Sequence, residues 1–317
     1  MTDQKIIAVA GATGSQGGGV VRALLDDPAK RFAIRALTRD PSSPSATALA
    51  DLGAEVVRAD FDDEASVLAG LDGAYGAFFV TNFWAHASAE RELAEIGVLA
   101  RSAKAAGLKH VVWSTLEDTR DLLSIDDARM PVLQERYNVP HFDAKGEGNA
   151  LFVAAGVPTT FLNTTFFYQG FVQSMAPKRG EDGVLELTLP FEDGKLLSGV
   201  DVADIGRTAA AILAAGEEYI GQTVGLAGDH LTGAQYADVI GDVIGEPVRF
   251  VSVPYDVFRT FGVPGGDEVA NMFQYYGDFD AEFTGARDLE GLRWLNPQLK
   301  SFRMWAEENA EAFRAAI

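Results

Sequence analysis

The sequence predicts an α/β chain in which a doubly wound parallel sheet is joined to a smaller α+β carboxy-terminal lobe. Three observations carry this reading. Short apolar runs alternate with helix-patterned segments through the first half of the 317 residues, an order that requires crossover helices between parallel strands. A glycine-rich stretch, Ala10-Gly11-Ala12-Thr13-Gly14-Ser15-Gln16-Gly17-Gly18-Gly19, follows the first apolar run directly. After residue 160 the texture changes to aromatic clusters, glycine-rich turns and short strands.

Taken in order, the predicted strands are Ile6–Ala10, Phe32–Thr38, Glu55–Arg58, Gly76–Thr81, His110–Ser114 and Thr159–Asn163. Helices are predicted over Gly18–Leu25, Ser45–Leu52, Glu64–Leu71, Ala87–Ala106 and Ala144–Ala155, several closing on glycine, as at Gly53, Gly107 and Gly156. Val184–Leu189 reads as a short strand of the second lobe. Ser198–Arg207 reads as a loop and helix returning to the first domain; N-capping by Asp201 and dipole complementarity at Asp204 account for both carboxylates. Gln222–Leu226 is expected as a last strand, Ala234–Gly245 as an amphipathic helix, and Ser301–Ala316 as one helix with Trp305 and Phe313 on its apolar side. The expected division is therefore a nucleotide-binding domain over 1–158, with 195–227 packing back onto it, and a smaller substrate or partner lobe over 159–194 and 228–317.

Composition excludes several classes. The formal net charge of −20 leaves no basic footprint for a phosphate backbone, so no direct nucleic-acid binding is expected. No apolar run approaches the ~20 residues of a membrane span, and Met1–Lys5 carries no charged region followed by an apolar one, which makes the cytoplasm the expected compartment. The absence of cysteine removes disulfides and thiolate chemistry, and the four histidines, His86, His110, His141 and His230, show no ligand spacing, so no metal is expected. A chain this acidic that holds a polyanion must place its few cations locally, which draws attention to Arg39 and Lys145.

The glycine stretch reads as a pyrophosphate cradle. Gly11 takes the tight turn, Gly14 brings bare backbone to the phosphates, and Gly17 lets the helix lie close on the strand with its N–H groups facing the anion. Gly17, Gly18 and Gly19 each cost about 1 kcal/mol against alanine in a helix interior, so a reason beyond helix formation is needed. Ligands on such sheets lie off the carboxyl ends of the strands, which nominates Gly11, Arg39, Asp60, Thr81 and Ser114. An arginine after the second strand pairs bidentately with a 2′-phosphate, where NAD-specific chains place a carboxylate. Arg39 therefore favours NADP(H) over NAD(H), with Asp40 free to start the Pro41-Ser42-Ser43-Pro44 turn.

The spacing Gly11-x-x-Gly14-x-x-Gly17 resembles the extended and atypical short-chain dehydrogenase/reductase superfamily. Thr38-Arg39-Asp40-Pro41, Ala59-Asp60-Phe61-Asp62-Asp63, Val80-Thr81-Asn82-Phe83-Trp84, Val112-Trp113-Ser114-Thr115-Leu116-Glu117 and His141-Phe142-Asp143-Ala144-Lys145-Gly146-Glu147 narrow the likeness. With Asp201–Arg207 and Ala270–Phe273 they make the chain resemble the NmrA-like family, including its HSCARG-type NADPH sensors, over most of its length. The resemblance implies a Rossmann-type sheet and a cofactor site formed by Gly11, Thr13, Gly14, Ser15, Gln16, Gly17, Arg39, Asp60, Phe61, Thr81, Asn82, Phe83, Ser114 and Lys145. In that frame Asp60 and Phe61 flank adenine; a strand-end cap and a core aromatic are the other readings of the same two residues.

Function turns on the pair His141 and Lys145. In catalytically active short-chain dehydrogenases a tyrosine four residues before a lysine passes a proton to the substrate, while the lysine holds the nicotinamide ribose. Here the tyrosine position is His141, whose shorter ring falls short of the substrate oxygen; packing at a helix start is its other reading. Ser114 and Thr115 occupy the place of the superfamily's substrate-orienting hydroxyl, and Tyr137 and Tyr168 are candidate substitute acids. The catalytic candidates are thus Lys145, His141, Ser114 and Tyr168, none of them a complete proton relay. Phe161, Phe166, Phe167, Tyr168 and Phe171 are expected to meet Met272, Phe273, Tyr275, Tyr276 and Phe279 across a cleft, as core packing, a pocket or a partner surface. The acidic stretch Glu117–Glu135 is long for a loop and is expected to be mobile, ordering when cofactor binds. The reading that follows is an NADP(H)-binding sensor or regulator with little or no dehydrogenase turnover, passing its state to a protein partner and compatible with a homodimer. The alternatives are an NADPH-dependent oxidoreductase of quinones or small carbonyls or imines, and a chain in which nucleotide is structural only.

Overall fold

A computed structural model describes residues 4–317; Met1–Asp3, part of the segment read for a leader, lies outside the described residues. The chain divides into two compact units. The first takes the chain through Asp118, then Pro140–Thr164 and Val202–Val224; the second takes Thr119–Val139, Thr165–Asp201 and Gly225–Ile317. Residues 119–139, 195–201 and 225–227 thus cluster with the second unit and 159–164 with the first.

The first unit alternates strand and helix as β1 (Lys5–Val9), α1 (Ser15–Leu25), β2 (Phe32–Thr38), α2 (Pro44–Asp51), β3 (Glu55–Arg58), α3 (Glu64–Gly70), β4 (Gly76–Phe79), α4 (Ala89–Ala106), β5 (His110–Thr115), α5 (Pro140–Ala155), β6 (Thr159–Asn163) and α6 (Val202–Ala214). The strands β1 to β6 pair in parallel. The sheet runs from the short strand Thr223–Gly225 through β6, β5, β4, β1 and β2 to β3. Strand order reverses between β1 and β4, the switch point where ligands of doubly wound sheets lie. Ile7, Ala8 and Val9 of β1 and all of β4 are buried, as strands covered on both faces must be.

Three element boundaries depart from the sequence expectation. Helix α1 begins at Ser15 rather than Gly18, so the whole glycine run lies inside it. A Cβ on Gly17 would stand 2.3 Å from the Gly11 carbonyl oxygen, and one on Gly206 of α6 would stand 2.4 Å from the Gly19 carbonyl carbon. Close helix packing, and not phosphate contact alone, therefore accounts for part of that run. Helix α5 begins at Pro140, a residue suited to the first helical position, which takes His141 into the helix. Strand β4 ends at Phe79, releasing Val80 and Thr81 from the ladder.

The second unit holds two three-stranded sheets, one centred on Leu196–Val200 and one on Leu185–Leu189. Of the three readings of the aromatic clusters, core packing is the one these contacts give: Phe166 packs on Phe171 and Phe273, Phe171 on Tyr236 and Phe302, and Tyr276 on Phe283. Phe161 belongs to the core of the first unit. The C-terminal helix breaks into Phe302–Glu308 and Ala310–Ala316, because Asn309 turns its side-chain amide onto the Trp305 carbonyl at 2.8 Å. The stretch expected to be mobile is pinned. From helix Gly266–Asp278, Asn271 donates to the Pro131 and Asn138 carbonyls and Gln274 to that of Arg129, while Arg259 holds both amide oxygens.

Candidate functional site

The first turn is open backbone. Gly11 sits at φ +65°, where a side chain is strained, and a Cβ there would stand 2.8 Å from Val80 Cγ1. The Gly14 amide closes the turn onto Gly11, and Gly14 is the N-cap of α1 without a side-chain cap. Among the described residues, the amides of Ser15, Gln16 and Gly17 meet no protein acceptor, and Thr13, Gly14 and Ser15 are exposed. Uncapped N–H groups at the positive end of a buried helix suit an anion. Gln16 is tethered instead: Ser114 Oγ, buried at the end of β5, donates to its side-chain oxygen at 2.6 Å.

The ends of β2 and β3 separate by what their side chains already hold. Asp40 accepts from the Ser42 amide at 2.9 Å and its hydroxyl at 2.6 Å, and these bonds lower its pKa below the usual carboxylate value. Its carboxylate therefore serves the turn. Arg39 beside it is exposed and has no hydrogen-bond or ion-pair partner among the described residues. Asp60 accepts from the Asp62 amide at 3.2 Å and lies 3.6 Å from Arg58, and Phe61 packs half-buried on the core. Both are used structurally, as cap and core aromatic.

Beside β4 the structure adds a residue that the sequence reading missed. Lys145 Nζ donates to Thr81 Oγ1 at 2.6 Å, to Glu92 Oε1 at 2.6 Å and to the Thr81 carbonyl at 3.3 Å. The Thr81 hydroxyl donates in turn to Glu92. Glu92 is wholly buried and Lys145 is 8% exposed, with the ammonium 5.1 Å from the Trp113 ring centre. Glu92 falls in line with Ile96, Leu99 and Ala103 on the core-facing stripe of α4. A charge in an otherwise apolar stripe was the sequence signal for it.

Glu92 Oε2 faces His86 Nε2 at 3.4 Å, and that nitrogen lies 3.8 Å from Glu95. Burial and the Glu92 charge raise the Glu95 pKa. These three groups lie close enough to be considered as metal ligands. The Ser88 amide, however, donates to His86 Nδ1 at 3.1 Å, which puts the proton of the neutral ring on Nε2, toward the carboxylates. With its proton on Nε2, that nitrogen offers no lone pair to a metal.

His141 is buried in an aromatic nest, with ring centres 5.0 Å from Trp84, 5.8 Å from Phe83 and 4.7 Å from Phe142. Phe83 is buried, while Asn82 is exposed and starts the short 3-10 turn Phe83–Ala85. The candidate acids Tyr137 and Tyr168 belong to the second unit. Tyr168 is fully buried against Phe302 and Trp305, and the Tyr137 hydroxyl accepts from the Arg136 guanidinium at 2.6 Å. Core packing is what the structure gives Tyr168 in place of the acid role.

Among the described residues no helix is long and apolar enough to cross a membrane. The model of the NmrA-like family matches residues 3–296. A relative from Aspergillus hancockii, the NmrA-like family domain-containing oxidoreductase hkm9, is 30% identical over 285 residues, covering 85% of this chain and 82% of its own. Among solved structures, NmrA, a negative transcriptional regulator in complex with NADP, superposes with a TM-score of 0.81 at 21% identity, covering 99% of this chain and 98% of the other. A triphenylmethane reductase of Citrobacter sp. complexed with NADP(H) follows at 0.74 and 20%, covering 98% and 99%.

Proposed function

Because this chain belongs to the NmrA-like family, we propose that it binds a nicotinamide dinucleotide, NADP(H) in preference to NAD(H), and serves as a cofactor sensor or regulator with little dehydrogenase turnover. The residues of the first turn fit a diphosphate: three amides without acceptors, and glycines where a Cβ would fill the space. Arg39 without a partner, beside an Asp40 committed to its turn, supports recognition of a 2′-phosphate. When bound, the coenzyme supplies a hydride. What this chain must add for reduction is a proton donor, and the observation that carries the regulatory reading is the state of the groups eligible for that task. His141 is buried among aromatic rings, Tyr168 is sealed in the core of the second unit, and the hydrogens of the Lys145 ammonium are taken by Thr81 and Glu92.

The second reading is an oxidoreductase of quinones or small carbonyls or imines. The hkm9 relative is named an oxidoreductase, and a quinone needs less help from a protein acid because its reduced anion is already stable. Absorbance of NADPH, followed with purified full-length protein and a panel of quinones, aldehydes and imines, separates the two. The regulatory reading expects no saturable consumption above the uncatalysed rate, and His141→Tyr as the change that creates or raises it. Brisk, saturable consumption by the wild type gives the chain to the second reading.

A further inference from the structure

We propose that Glu92 withholds the Lys145 ammonium from a bound dinucleotide, so that this chain grips the coenzyme by its phosphates and leaves the nicotinamide half without a charged hold. The inference rests on the dinucleotide reading above and gives it a direction. An ammonium has three hydrogens, and three acceptors surround Nζ: Thr81 Oγ1 at 2.6 Å, Glu92 Oε1 at 2.6 Å and the Thr81 carbonyl at 3.3 Å. Thr81 is equally spent, since its hydroxyl proton goes to Glu92. Turning Lys145 toward a ribose would leave a wholly buried carboxylate without its counter-charge, a larger penalty than one ribose hydrogen bond returns. The closed arrangement is therefore the favoured one with or without coenzyme.

Two consequences follow. Lys145 is a clamp that ties the end of β4 to α4 and α5, and is no longer a ribose hook. The nicotinamide ribose is left to uncharged contacts, so the grip on the coenzyme lies with its phosphate groups.

Calorimetry on the full chain tests this with NADPH, NADP and 2′-phospho-ADP, which keeps both phosphate groups but lacks the nicotinamide ribose and its base. In the wild type the truncated ligand is expected to bind within about threefold of NADPH, where a charged hydrogen bond to the ribose would set it apart by about tenfold or more. Glu92→Gln frees the ammonium and is expected to tighten NADPH by about tenfold, NADP by less, and the truncated ligand not at all. Adding Lys145→Met to Glu92→Gln is expected to erase that gain and return NADPH to its wild-type affinity. A truncated ligand that binds the wild type more than tenfold weaker overturns the proposal, and this comparison needs no variant to fold. So does a folded Glu92→Gln that gains nothing, or a double variant about tenfold weaker than wild type. Failure of all three ligands to bind the wild type removes the dinucleotide reading itself, and this inference with it.

Discussion

Two places at the carboxyl edge of the same sheet are built in opposite ways. At the turn after β1 and at the end of β2, backbone amides and the exposed Arg39 guanidinium are left without protein partners among the described residues. Beside β4, Thr81, Lys145 and Glu92 Oε1 bond one another in a buried triangle, with His86 and Glu95 lying on the far side of the Glu92 carboxylate. Both places were nominated from the sequence as one continuous cofactor site. The difference teaches that residue type and position at a strand end do not make a ligand group: a polar group is available only when the protein has not already used it.

The largest expected effect breaks the closed triangle. Lys145→Met alone strands the buried Glu92 and is expected to cost about 3–5 kcal/mol of stability, whereas Glu92→Met with Lys145→Met costs far less. Urea denaturation of the two singles and the double gives the coupling; additive losses would mean the pair is not the clamp described.

Next is a buried group away from the candidate site. His110, at the start of β5, is fully buried with Nε2 2.8 Å from Thr160 Oγ1, and burial lowers its pKa to about 4. Its folded pKa lies below the unfolded value of 6.5, so the unfolded chain binds the proton first. The contribution is whole above about pH 6.5 and is lost as pH falls, about 2 kcal/mol between pH 6.5 and 5. Stability measured across that window in wild type and His110→Asn checks it, the variant losing the slope.

At the open turn, Gly17→Ala puts a Cβ 2.3 Å from the Gly11 carbonyl oxygen. It is expected to cost about 1–3 kcal/mol and to abolish coenzyme binding, read by thermal shift with and without NADPH. The smallest effect on stability is expected from Arg39→Ala, within about 0.5 kcal/mol, because that side chain touches no polar partner.

The fold was legible because period and punctuation repeat along the first unit: β2, β3 and β6 carry the boundaries read from their apolar runs, and glycine ends α4 at Gly107. The tight turn after β1 was legible for the same reason, since Gly11, Gly14 and Gly17 are local. What sequence could not show depends on contacts distant along the chain. Glu92 meets Lys145 from 53 residues away, and the Glu117–Glu135 stretch is held by Asn271 and Gln274, 140 and 145 residues from the carbonyls they take in it. Tyr168 looked available as an acid only because one sequence cannot say which face of an aromatic cluster meets solvent.

The central claim is that unpartnered groups at the first turn and at Arg39 hold a phosphorylated dinucleotide. Parallel titrations of NADPH and NADH into wild type and Arg39→Ala test it most directly. The account predicts NADPH binding at least about tenfold tighter than NADH in the wild type, and most of that margin gone in Arg39→Ala. Equal affinities in the wild type, or a margin untouched by Arg39→Ala, would contradict it.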